Sequence, residues 1–545
     1  MCFVQKTFLF TAAELNVEQE LKSWKEIPGP SSLPIVGQIR HFLPGGSLYG
    51  LTGMEFTEHL FKTYGPIVRL EGLLGAPSLV FLYEAEASAQ VLRGENVMPE
   101  RPGFKSLEYY RKVYSKKKDD PIDKPTGLIT DHNETWKKFR GAVNPILLKP
   151  KTIKLYSSTL DDVAMDMVAR LKSIRDEKNM IKSSFDEEMN LWALESIGVV
   201  ALGGRLNCLD PNLPQDSPAR RLIQVVHEVF TIAEKLDFRP SLWRYIATPN
   251  FKQAMKLYEE LLISPNYFLI VLYQHDDSQN TEEKRRFLRA INKVLNKHCM
   301  RHINRKQLWV NKIGKHFIGK AMKQIESTNQ KSDDEKGILE KLLEIDEDYA
   351  VIMASDMLFA GVDTTSNTIT STLYFLATHP DKQNKLREEI MSEQERRPYL
   401  RACIKESLRL RPIVSGNMRK ISKDYNIMGY RIPKNMHVVF VHEYLATMED
   451  QYPRPQEYIP ERWIAEKDDP LYHRNAHPFA FAPFGFGVRS CIGRRIAELE
   501  LETFLSRMIE NFQVEWFGPP LRVRATSLNY TAPPYNFVLK DVKSA

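Results

Sequence analysis

Phe484-Gly485-Phe486-Gly487-Val488-Arg489-Ser490-Cys491-Ile492-Gly493 is the stretch around which the rest of the chain is organised. It sets one cysteine beside glycines, an aromatic residue and an arginine. That inventory suits a thiolate ligand to haem iron, in which sulfur donates electron density to the metal and favours O–O cleavage. Gly487 and Gly493 would let the backbone approach a porphyrin closely, Phe484 would cover the sulfur side, and Arg489 would pair with a haem propionate. Cys491 is therefore the candidate iron ligand. The alternative is a glycine-rich turn that happens to hold a buried cysteine.

In every fixed position, Phe484, Gly487, Arg489, Cys491 and Gly493, the stretch resembles the cytochrome P-450 signature Phe-x-x-Gly-x-Arg-x-Cys-x-Gly. The resemblance implies a mainly α fold with a small β region on the N-terminal side, the haem-thiolate fold. It implies haem b (iron protoporphyrin IX) with an axial cysteine thiolate as cofactor. The implied reaction inserts one atom of O2 into a lipophilic substrate and reduces the other to water.

The 545 residues, 43% of them hydrophobic, can bury a large core, and no repeat or low-complexity block divides them. Five cysteines without paired spacing argue against a disulfide framework. The net charge of +7 is local: Thr281 to Lys312 holds ten Lys/Arg against two Glu, so the remainder is almost neutral. No nucleic-acid partner is expected from such a distribution. No stretch approaches the apolar length of a membrane span. Residues 1–26 read as a targeting or lead-in segment, with Glu14, Glu18 and Glu20 unlike a typical transit peptide.

Residues 27–545 read as one catalytic domain. Ile27-Pro28-Gly29-Pro30 forms a stiff start similar to the family's proline hinge. Ile67–Leu70 and Leu79–Leu82 read as a hairpin. From Asn96 to Thr130 periodicity is lost, as in the family's variable loop over the substrate, and Lys116–Asp120 reads as a solvated tip. Trp136 and Arg140 share a helix face, and the resemblance implies that they hold a propionate. Amphipathic helices dominate 152–262, interrupted at Phe238–Tyr245 by a loop that resembles the pocket roof. The helix opening at Phe251 would run on into Lys312–Glu326 if residues 263–311 were absent, so 263–311 reads as an atypical insertion. A basic amphipathic pattern capped by Thr281 lies within it, as do His298, Cys299 and His302, which lack the second ligand pair of a zinc site.

The run Asp348–Thr378 is the most helical in the chain and contains Ala360-Gly361-Val362-Asp363-Thr364-Thr365, similar to the family's oxygen-activation segment. Small Ala360 and Gly361 would leave room beside iron, and Asp363 with Thr364 would relay protons. The alternative has Thr364 bonding its own helix carbonyl and Asp363 capping a kink. Only about twenty residues join Asp381 to Lys405, a short connection for this family. By resemblance Glu406, Arg409 and Arg462 form a buried ionic network beneath the haem, Arg419 is a further propionate partner, and Ile413, Val414 and Ser415 line the pocket.

No flavin or nicotinamide fingerprint is present, so electrons must come from another protein. Arg401 and Lys405, one helical turn apart, resemble the docking cations through which mitochondrial members bind an adrenodoxin-type ferredoxin. An NADPH-dependent ferredoxin reductase would supply that ferredoxin. The contexts Arg101-Pro102-Gly103 and Pro240-Ser241-Leu242-Trp243 are most similar to arthropod mitochondrial members. The implied location is the mitochondrial inner membrane, with peripheral membrane contact, and the implied substrate is a foreign compound or a steroid-like molecule. The rivals are a microsomal-type enzyme of the endoplasmic reticulum, reduced by a flavoprotein, and a catalytically silent haem protein.

Overall fold

The computed structural model describes residues 21–33, 37–72, 76–116, 124–181, 184–272, 332, 334–392, 394 and 396–542. The helices are α1 Gly53–Tyr64, α2 Ala85–Arg93, α3 Lys105–Tyr109, α4 Asn133–Leu147, α5 Pro150–Lys154, α6 Ser157–Ile174, α7 Phe185–Leu202, α8 Pro218–Ala233 and α9 Pro249–Leu272. After the undescribed stretch come α10 Ile338–Ile345, α11 Glu347–Thr378, α12 Pro380–Met391, α13 Pro398–Leu410, α14 His442–Leu445 and α15 Arg494–Asn511. The strands are β1 Lys22–Ser23, β2 Ile67–Leu70, β3 Leu79–Leu82, β4 Asn417–Lys420, β5 Tyr425–Ile427, β6 Tyr430–Ile432, β7 His437–Phe440, β8 Phe512–Trp516, β9 Arg522–Ala525, β10 Asn529–Ala532 and β11 Phe537–Asp541.

α11 is the axis of the molecule. Asp346 caps it, its carboxylate accepting the Tyr349 N–H at 3.0 Å, and it runs through the main core. Buried hydroxyls along it are satisfied by their own helix: Thr368 donates to Thr364 O at 2.7 Å, Thr370 to Ser366 O at 2.8 Å and Thr372 to Thr368 O at 2.9 Å. α7 lies along it, itself apolar on nearly every side. Gly361 permits the approach, because a Cβ there would stand 2.7 Å from Ile197 Cγ1 of α7. Gly361 therefore makes room for a neighbouring helix. Ala360 differs, being exposed while the residues before it are buried.

The expected hairpin is present, with Ile67 opposite Leu82, and it extends into a four-stranded sheet in the order β2-β3-β7-β4. β7 runs parallel to β3 and antiparallel to β4. The sheet has its own apolar cluster around Val80, Leu82, Val438 and Phe440. The stretch Asn96–Thr130 is less irregular than its sequence suggests, holding α3 and a π turn over Tyr110–Tyr114. Of the Lys116–Asp120 tip, residues 117–120 lie outside the described residues. So do the Thr281-capped pattern, His298, Cys299, His302 and the continuation to Lys312–Glu326. α9 continues to Leu272 without interruption at residue 263.

The short connection before α13 has a physical solution. The Glu389 carboxylate, near the end of α12, accepts the free N–H groups of Tyr399 and Leu400 in the first turn of α13, both at 2.8 Å. One side chain thus ends one helix and starts the next. Among the described residues no helix is long and apolar enough to cross a membrane, and Cys208, Cys403 and Cys491 are free.

Candidate active site

The Cys491 loop closes on itself, with the Cys491 N–H donating to Phe484 O at 2.8 Å. Gly485 and Gly487 have φ of 72° and 69°, the left-handed region that glycine occupies without strain, so both are required by the turn. Gly493 differs: its φ is −82°, and a Cβ there would meet Cys491 Sγ at an ordinary 3.9 Å. Phe484 is packed on the main core beneath the Arg494 guanidinium, 5.3 Å from its ring centre. Cys491 is exposed, unlike Cys208 and Cys403. Surrounding protein still strips enough water from the thiol to push its pKa up, against the opposing pull of the Gly493 N–H and of Arg101, Arg140 and Arg494.

Arginines converge on this loop. Arg489 is buried, stacked 3.7 Å from the centre of the Trp136 ring, and donates to Pro99 O at 2.8 Å, Asp131 O at 3.3 Å and Leu128 O at 3.4 Å. Two of its five N–H groups remain for another acceptor. Arg140 donates to Ser490 O at 3.0 Å and leaves its buried Nε without a partner. Trp136 is buried beside it on α4. Arg419, on β4, pairs with Glu95 and donates to Met418 O at 3.0 Å. Arg101 completes the group.

These cations compete. Burial pulls the pKa of Arg489 down to about 9, with Arg101, Arg419 and Arg140 adding repulsion. Burial pulls Arg140 down to about 10, where Cys491 opposes the shift and Arg101 adds to it. Four guanidiniums stand against one ion-paired carboxylate, so the site is built for more negative charge than the chain supplies. A thiolate and the two propionates of haem b would provide it. The residues fit that cofactor. Sequence reasoning did not find Glu95 or the role of Arg101, because nothing local marks an acid whose partner is on a strand more than three hundred residues away.

On α11 the Thr364 hydroxyl donates to Ala360 O at 2.6 Å, leaving its oxygen free to accept. Asp363 is buried; its Oδ2 accepts the Tyr530 hydroxyl at 2.6 Å and its Oδ1 has no partner. Burial pushes its pKa up to about 7 even though the Tyr530 bond opposes the shift. The structure does not bring the two side chains together, since consecutive helical positions point about 100° apart. Asp363 is held by β10 instead of capping a kink. Phe230 of α8 and Phe359 of α11 stack at 4.6 Å, and Phe104 meets both edge-on, an aromatic wall beside Ala360.

The expected ionic network is complete. Glu406, Arg409 and Arg462 are all fully buried. Glu406 Oε1 accepts from Arg409 Nη2 at 2.8 Å, Arg462 Nε at 2.9 Å and Ile459 N at 3.0 Å. Its Oε2 accepts from Arg409 Nε and Trp463 Nε1, both at 2.9 Å. The other guanidinium groups donate to carbonyls of Ala446, Pro455 and Pro453. Trp463, a neutral fifth donor, has no signal in the Glu-x-x-Arg pattern. On the surface of α13, exposed Arg401 pairs with Glu502 at 2.9 Å, while Lys405 lies 5.6 Å over the Trp463 ring.

The cytochrome P450 family profile matches residues 27–539. The chain is 36% identical to cytochrome P450 CYP12A2 of Musca domestica, over 95% of this chain and 92% of that one. It is 34% identical to the probable mitochondrial cytochrome P450 12a5 of Drosophila melanogaster, over 96% and 92%. The retinoic-acid-bound cyanobacterial CYP120A1 shares the fold, with a TM-score of 0.64 at 19% identity, covering 96% of this chain and all of that one. Family profile, relatives and fold agree with the cysteine loop and its arginines: the chain belongs to the cytochrome P450 family, haem-thiolate monooxygenases that bind haem b through an axial cysteine.

Proposed function

We propose that this chain is a mitochondrial monooxygenase acting on lipophilic foreign compounds and reduced by a ferredoxin of the adrenodoxin type. The observation that carries the reading is the convergence of four mutually repelling arginines around the loop that presents the exposed Cys491. Cys491 would ligate the haem iron; Trp136, Arg140, Arg419 and Arg489 would hold the propionates, Phe484, Gly487 and Gly493 would shape the sulfur side, and Glu406, Arg409 and Arg462 would brace the loop. Haem b, when bound, supplies dioxygen binding and O–O cleavage.

The chain's own residues do the rest. Asp363, close to neutral in proton affinity, holds and releases a proton at Oδ2. Thr364, its hydroxyl proton donated in a hydrogen bond to Ala360 O, offers lone pairs that accept from a proton-carrying group. Phe104, Phe230 and Phe359 favour flat apolar substrates and exclude water. Arg401 and Lys405, beside Arg494 on α15, supply the cations that an acidic ferredoxin would meet, drawing Arg401 from Glu502 and Arg494 from Glu498. Mitochondrial location is supported by the names of the relatives, and peripheral contact at the inner membrane belongs to the proposal.

The test is reconstitution with NADPH and either a ferredoxin with its reductase or the microsomal flavoprotein reductase. Product formation with the first and not the second is expected. Turnover supported only by the flavoprotein would overturn the donor assignment.

A further inference from the structure

Oxygen insertion consumes two protons for each dioxygen, and the carboxyl assigned above to deliver them is only 1% exposed. A buried acid can act repeatedly only if another group returns protons from water. The charged and titratable groups near Asp363 are Tyr530 and Tyr535 of the C-terminal hairpin region, Arg524 of β9, Asp186 of α7, and His227 and Glu228 of α8. Of these, Tyr530 and His227 reach the carboxyl itself, at 2.6 Å and 3.8 Å from Oδ2. Tyr530 is buried and its proton is held well above the ordinary phenol range, so it fixes the carboxyl without supplying it. His227 is 40% exposed in its side chain, and its ring lies edge-on to the Tyr530 ring at 4.7 Å.

The hydrogen bonding also sets the imidazole's tautomer. Arg524 Nη2 stands 2.8 Å from His227 Nε2. A guanidinium can only donate, so Nε2 accepts and the ring proton sits on Nδ1, the nitrogen facing Asp363. Arg524 is itself exposed.

Resting on the assignment of Asp363 as the proton donor, we propose that His227 is its solvent-side intake, recharging the carboxylate from bulk water while Tyr530 holds it in position. A hydronium or buffer acid protonates Nε2 as Arg524 releases it. The Nδ1–H bond then breaks as the O–H bond forms on Asp363 Oδ2, across a gap that a small rotation of the exposed ring closes. The ring, left neutral with its proton on Nε2, exchanges tautomer through water and is ready again. One proton moves from solvent to carboxylate in each cycle. Burial and Arg524 hold the His227 pKa below its ordinary value while burial lifts Asp363 to about 7, so the transfer is not uphill.

The experiment compares haem-loaded wild type with H227A, H227Q, D363N and H227A supplied with imidazole. It measures product against hydrogen peroxide per NADPH, the pH profile of that ratio, and the substrate-induced spectral shift. H227A and H227Q should both lose product roughly tenfold and release peroxide instead, below the range of about 100-fold or more for a direct acid–base group because water retains a slow route. Added imidazole should restore H227A, and substrate binding should be unchanged. A readout independent of turnover is the 15N NMR spectrum of His227 in the resting protein, where protonation on Nδ1 is expected and should shift to Nε2 in R524Q. Wild-type coupling in H227A, wild-type coupling in H227Q with loss in H227A, no rescue by imidazole, or a wild-type proton on Nε2 would each overturn the proposal. Uncoupling in D363N but not in H227A would sink this inference alone, whereas full coupling in D363N would sink the Asp363 assignment beneath it.

Discussion

Replacing Glu406 by Gln removes one charge and one acceptor from a position with no solvent access. Five donors converge on the Glu406 carboxylate, three on Oε1 and two on Oε2. A Gln amide can satisfy one of those sets and points its own donors at the other, so the least disruptive orientation strands Arg409 Nε and Trp463 Nε1. Both arginines also lose their only carboxylate partner among the described residues while remaining fully buried. Removing one member of a buried ion pair costs about 3–5 kcal/mol, and the surviving Oε1 bonds place the cost of E406Q near the middle, about 4 kcal/mol. Against a typical domain stability of roughly 5–15 kcal/mol that is a large share. W463F removes one bond to a charged acceptor, about 1.5–3 kcal/mol, and leaves the charges paired. Urea unfolding followed by circular dichroism and by haem absorbance should rank wild type above W463F above E406Q, with E406Q losing haem on gel filtration. An E406Q protein within 1 kcal/mol of wild type on the scale of that penalty, or a W463F protein weaker than E406Q, would refute the reasoning.

Three further outcomes follow from the geometry. G361A should lower stability by about 1–3 kcal/mol through the clash with Ile197, and I197A should recover part of the loss in the double variant, read from thermal unfolding. Glu500 is buried with its pKa lifted by desolvation to about 8 from an ordinary 4.5; the native state then binds more protons than the unfolded chain between those values, so stability falls as pH rises through that window. E500Q should flatten that part of the stability curve, and an unchanged slope would contradict the assignment. The double variant R401E/K405E should weaken ferredoxin binding at least about tenfold at low salt and reduce its salt dependence, measured by calorimetry, with the haem spectrum unaffected.

What could be read from the residues alone is what local spacing encodes. The cysteine loop, the Trp136–Arg140 face, the Glu406–Arg409 turn, the hairpin at Ile67–Leu82 and the long helix that became α11 all express their geometry within a few residues, and all appear where expected. Contacts between distant segments were not legible. Glu95 meets Arg419, Tyr530 and His227 meet Asp363, and Trp463 meets Glu406, in each case through tertiary packing that no periodicity announces. The close approach of Gly361 to Ile197 is likewise a contact between distant segments that its motif does not announce. The helix α3 was hidden because five residues are too few to show a period.

The most direct test of the central claim is the carbon monoxide difference spectrum of the reduced full chain, taken for wild type, C491A, C403A and C208A, and for a variant lacking residues 263–311. A long-wavelength thiolate-type Soret band is expected in the wild type, in C403A and in C208A, with its loss in C491A alone among the cysteine variants. A band that survives in C491A would contradict Cys491 ligation. A band given by the deletion variant and never by the full chain would mean that the chain as it stands is not the working enzyme.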